Sequence, residues 1–84
     1  MDKRYLVLRT IHDVVKFNPR PTEYLMRPRE LILRMMMDWS TIKNYLDELE
    51  LEELVQTSQQ ETLVIRITES GLEKLQSMAT DEAG

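Results

Sequence analysis

Ser40, Thr41, Lys43 and Asn44 put two hydroxyls, an ammonium and an amide within five positions. These groups give and take hydrogen bonds, and they lie on one side of a stretch that reads as a helix. Catalysis would need companions that the chain does not supply. There is no Ser/His/Asp or Cys/His set, no glycine-rich phosphate loop and no cluster with metal-ligand spacing. The many carboxylate pairs fall on helix surfaces, where water screens them. His12, the one histidine, lies beside the apolar stripe of another helix and reads as a structural residue. With no cysteine, disulfides and thiolate metal sites are excluded. The expectation is a protein that is not an enzyme and uses neither cofactor nor metal.

Charge points to a binding surface. The formal net charge of the 84 residues is −4, which counts against a strong general grip on nucleic acid. Its distribution is uneven: residues 1–43 hold nine Lys/Arg against five Asp/Glu, and residues 44–84 hold two against ten. A basic face can therefore exist on an acidic protein, and head-to-tail self-association is also open. All three prolines lie in Asn18–Pro28, a stiffened loop that carries Arg20 and Arg27, with Arg29 just beyond it. The loop reads either as a connector between helices or as a shaped basic edge that meets phosphate. Tyr24, Leu25 and Met26 are expected to pin it to the body.

The elements that must position these groups follow from hydropathy spacing. Asp2 to about Phe17 reads as a helix with Tyr5, Leu8, Ile11 and Val15 on one side, widened by Val7 and Val14. Pro28 opens a second helix whose apolar face is Leu31, Ile32 and Met35. Met35-Met36-Met37 reads as core and corner packing. Asp38 suits the N-cap of a third helix, with Met37 and Ile42 as a hydrophobic staple. Ile42, Tyr45, Leu46 and Leu49 form its apolar stripe. Leu54–Thr57 and Thr62–Ile67 read as strands joined by the polar link Ser58–Glu61. Thr68 caps a last helix with Leu72, Leu75 and Met78 on its apolar side. Gly71 inside that helix lowers its propensity by about 1 kcal/mol, which predicts a close approach to a neighbouring helix.

The reading is therefore a mainly α chain with a small β-hairpin, one domain over 1–79 and a flexible acidic tail over 80–84. The longest apolar run is four residues, Tyr5–Leu8, so no bilayer span is expected and a cytoplasmic location is the default.

The order helix-helix-helix-strand-strand-helix carries a resemblance. From Leu31 to Leu75 the chain resembles a winged helix-turn-helix domain of the bacterial and archaeal transcription-regulator type. The matching features are the short helix ending near Met36, the Asp38 cap and Ser40-Thr41-Ile42-x-x-Tyr45-Leu46-x-x-Leu49. They continue with Leu54-Val55 opening the wing and Ile67-Thr68-Glu69-Ser70-Gly71 leading into the closing helix. The resemblance implies a recognition helix from Trp39 to about Leu51 whose first turns, with Ser40, Thr41, Lys43 and Asn44, enter a major groove. It implies phosphate contacts from Arg27, Arg29 and Arg34 on the preceding helix and from Arg66 on the wing.

The expected function is duplex DNA binding by a regulator of transcription or replication, acting as a homodimer. The dimer is expected from apolar surface on the first and last helices beyond the needs of one small core. The rival is a winged-helix module that binds a protein partner and no DNA. It rests on the net charge, on the wing tip Ser58–Glu61 that holds no cation, and on the acids Asp47, Glu48, Glu50, Glu52 and Glu53. Met36, at a turn position often held by glycine, is a further departure from the family pattern. Trp39 reads as a half-buried packing residue, and the acidic helix end as a solvated face.

Overall fold

In the computed structural model, which describes residues 2–83, four helices surround a two-stranded antiparallel hairpin. Helix α1 spans Lys3–Val15. Asp2 caps it by accepting from the Arg4 N–H at 3.0 Å, a role that the expected start at Asp2 did not separate from the helix itself. Val7, Leu8, Ile11 and Val15 are buried along one stripe. A single 3-10 turn, Pro21–Glu23, follows in the proline loop.

Helix α2 is Pro28–Met35, with Pro28 at the first position, where its missing N–H leaves no gap. It ends at Met36, which has φ 54° and ψ 39° and whose N–H bonds the Ile32 carbonyl at 2.9 Å. This is a left-handed helix stop, the geometry that favours glycine. The left-handed stop is therefore made here by a methionine.

Helix α3 is Trp39–Leu51, as expected from the stripe, with Ile42, Leu46 and Leu49 buried and Tyr45 half-buried against the core. Met37 and Ile42 both reach the core, consistent with the staple. Beyond Leu51 the chain turns through Glu53, at φ 62°. The Glu53 N–H bonds the Glu50 carbonyl and the Leu54 N–H bonds the Leu49 carbonyl, a paired helix stop of the Schellman kind.

Strands β1 (Val55–Gln59) and β2 (Leu63–Ile67) pair in the register Val55↔Ile67 to Gln59↔Leu63. The hairpin tip is thus Gln60–Thr62, starting two residues and ending one residue later than the expected link Ser58–Glu61. The hairpin is not alone. Met26 makes an antiparallel bridge to the far edge of β2, with its N–H 2.9 Å from the Ile65 carbonyl and the Ile65 N–H 2.8 Å from the Met26 carbonyl. Met26 is fully buried and Tyr24 packs on the core, so these two pin the proline loop as expected, by main chain as well as side chain, whereas Leu25 is exposed.

Helix α4 runs Glu69–Ala83. Thr68 caps it by accepting from the Gly71 N–H at 2.9 Å. The expected tail over 80–84 overlaps the end of this helix; Gly84 and the side chains of 79–83 lie outside the described residues. Gly71 is needed for a close approach, but to a different neighbour from the one expected. A Cβ there would stand 2.3 Å from the Leu54 carbonyl oxygen and 2.8 Å from Ile67 Cγ1, at the root of the hairpin rather than on a helix. No helix among the described residues is long and apolar enough to cross a membrane.

Candidate nucleic-acid interface

The first two turns of α3 are backed by buried Ile42 and Leu46 and present Ser40 and Asn44 to solvent, with Thr41 and Lys43 half-buried. Asp38 organises their start. Its carboxylate accepts from the Thr41 N–H at 3.3 Å, from the Thr41 hydroxyl at 2.9 Å and from the Ser40 hydroxyl at 2.5 Å. The Ser40 bond, then the Thr41 bonds, hold the Asp38 carboxyl below the usual carboxylate range. Both hydroxyl protons are thereby committed. Ser40 and Thr41 are left with lone pairs, so toward an outside group they act as acceptors.

Lys43 forms an ion pair with Asp47 one turn on, so the ammonium is neutralised within its own helix. Asn44 is exposed and has no hydrogen-bond partner among the described residues. Trp39 is half-buried and packs on the core, as its sequence reading has it.

The cations of α2 and the hairpin differ in their freedom. Arg27, the residue before α2, extends Nη1 to the Thr62 hydroxyl at 3.0 Å and so joins the start of α2 to the hairpin tip. Its own N–H donates to Glu30 at 3.0 Å, and Glu30 also accepts from the Tyr24 hydroxyl at 3.0 Å. That last bond is the main reason the Tyr24 phenol is raised above its ordinary pKa. Arg29 and Arg34 are exposed on α2 and make no ion pair among the described residues. Arg66 is half-buried on β2 opposite Gln56, likewise without an ion pair.

The acidic end of α3 departs from the expectation of a solvated run. Glu50 accepts from the Thr57 N–H at 2.9 Å and from its hydroxyl at 2.7 Å, which braces the hairpin against α3. Glu52 accepts from the Tyr5 hydroxyl at 2.9 Å and pairs with Arg4 at 3.4 Å, which ties α3 to α1. These bonds join residues 7 and 47 positions apart. The sequence marks neither partner, because a polar residue's distant mate leaves no periodic trace. The hairpin is held on both sides, by Glu50 from α3 and by Met26 and Arg27 from the loop before α2.

Neither a family model nor a curated protein matches the sequence. Among solved structures, the chain is similar to Bordetella bronchiseptica BpsR, from work on the mechanism by which 6-hydroxynicotinic acid regulates that protein's DNA binding. The TM-score is 0.74 at 13% identity, and the match covers 95% of this chain and 54% of that one. The likeness establishes the fold. This chain spans about half the length of the BpsR chain.

Proposed function

We propose that this chain is a small winged-helix DNA-binding protein, a regulator of transcription or replication, that reads duplex DNA with α3. The observation that carries the reading is the exposed, partner-free Asn44 in the first turns of a helix whose back is fully buried. The structural likeness to a protein with regulated DNA binding supports it. An asparagine amide can bond the N6 and N7 edge of adenine in two places at once, while Ser40 and Thr41 accept from base amino groups. Lys43 exchanges Asp47 for phosphate. Arg29 and Arg34 grip the backbone from α2, Arg27 does so beside the hairpin tip, and Arg66 does so from the hairpin.

The test is fluorescence anisotropy on a mixed pool of duplexes, followed by selection of the tightest sequence. Arg29→Ala should weaken all duplexes alike. Asn44→Ala should instead erode the preference for the selected sequence, by about 1–3 kcal/mol at one base pair. Equal losses on every sequence from both variants would contradict the assigned roles.

Two copies acting together belong to the same proposal, because paired readers cover more sequence than one. The apolar face expected on α1 and α4 is turned mostly inward, with Leu6 on α1 and Phe17 just beyond it left exposed. Val7, Leu8, Ile11 and Val15 are buried in the chain's own core, and Leu72 and Leu75 pack against it. The second reading, a protein-binding module without DNA, is favoured by one observation: the hairpin tip Gln60–Thr62 carries Glu61 and no cation. Absence of any duplex binding at low salt would select it.

A further inference from the structure

Two exposed apolar patches stand at opposite ends of α3, and their surroundings carry opposite charge. At the end of α2, Leu33 is 68% and Met36 is 90% exposed, with Arg29 and Arg34 exposed on the same short helix. At the end of α3, Leu51 is 86% exposed, flanked by exposed Glu48 and Glu53. The 13 residues of α3 rise about 1.5 Å each, so the patches lie roughly 20 Å apart and cannot meet within one chain.

A second observation joins them. Met36 and Glu53 are the only non-glycine residues with positive φ among the described residues, and each sits in one of these patches. At both places the helix stop would be relieved by glycine, which suffers no Cβ clash in the left-handed conformation. Neither side chain makes a hydrogen bond or ion pair among the described residues. A strained surface position whose side chain has no such partner in its own fold points to a use outside it.

We propose that the chain associates head to tail with a second copy: the basic apolar end of α2 in one copy seats the acidic apolar end of α3 in the next. Leu51 lies against Leu33 and Met36, Glu48 and Glu53 face Arg29 and Arg34, and both apolar patches leave water. The inference is separate from the reading in which two copies act together on DNA, and it names a contact that forms off DNA. The contact is heterologous, so each joined pair keeps one free patch of each kind and can add further copies. DNA phosphate and the second copy draw on the same Arg29 and Arg34, so the association is measured without DNA.

The experiment is sedimentation equilibrium between about 10 µM and about 500 µM, the range of weak contacts. Wild type should rise with concentration from the 10.0 kDa chain mass past that of a dimer, and less so as salt screens the charge pairs. Leu33→Asp spoils one patch and Leu51→Asp the other, by forcing a carboxylate against an apolar partner. Each variant alone should associate at least about tenfold more weakly.

An equimolar mixture of the two should restore association and stop at the dimer. Leu51 of one variant still fits Leu33 of the other, and the remaining junction sets two carboxylates face to face. A symmetric interface elsewhere would leave both single variants dimeric. That result would overturn the inference, as would wild type that stays monomeric throughout or a mixture that stays as monomeric as its components. Circular dichroism on both variants checks that these surface changes leave the fold intact. DNA binding by the same variants, measured separately, keeps failure of this contact distinct from failure of the DNA reading.

Discussion

At the scale of single residues, Gly71 shows how context reverses an intrinsic preference. In an open helix, Gly→Ala gains about 1 kcal/mol. Here the added methyl would meet the Leu54 carbonyl oxygen at 2.3 Å, a main-chain atom that cannot step aside alone. Gly71→Ala should therefore destabilise the fold by about 1–3 kcal/mol, in the manner of overpacking, read as a lower urea midpoint at unchanged m-value. A stabilised variant would contradict the packing described. The sequence signalled that Gly71 had a reason, because glycine is a poor choice between Thr68 and Leu72. It did not show which neighbour came close, since that contact reaches across the whole hairpin from α4 to Leu54. Met36 was legible in the same partial way: its place in the turn was read correctly, but its left-handed backbone was not, and instead of packing at a core corner like Met35 and Met37 it stands 90% exposed.

At the scale of elements, the helices were readable because burial repeats at three- and four-residue spacing. Ile42, Leu46 and Leu49 specify the axis and facing of α3 by themselves. The Met26 bridge was not readable, because a one-residue pairing between prolines has no alternation to detect, and main-chain bonds carry no residue identity. The cap of α3 gives an element-scale prediction. Ser40 and Thr41 stabilise the ionised Asp38, so its pKa is lower in the folded chain than in the unfolded one. A lowered carboxyl adds stability that is complete above the unfolded value of about 3.9 and is lost as pH falls through the folded value. Asp38→Asn keeps an acceptor oxygen for the Thr41 N–H but has no proton to gain. Urea midpoints from about pH 6 to about pH 2 should fall less steeply for Asp38→Asn than for wild type. Parallel curves would show that this cap does not contribute to acid sensitivity.

At the scale of the whole molecule, the proposed DNA reading requires a chain of net charge −4 to offer a surface to a polyanion. Three acids toward the end of α3 are occupied within the fold, while Glu48 and Glu53 stay exposed. Asp47 pairs with Lys43, Glu50 is held by Thr57, and Glu52 by Arg4 and Tyr5. Arg29, Arg34 and Arg66 remain without ion pairs among the described residues. The uneven charge along the sequence was plain from composition. Which cations stayed free was decided by contacts between distant elements, and so emerged only with the fold.

The measurement that tests the central claim most directly is the salt dependence of duplex binding. Arg27, Arg29, Arg34, Lys43 and Arg66 acting on phosphates should give a slope of log K against log salt of about −4.5, and Arg29→Ala with Arg34→Ala should flatten it by about 2. No binding at the lowest salt, or a slope that the double variant leaves unchanged, would contradict DNA binding through this face.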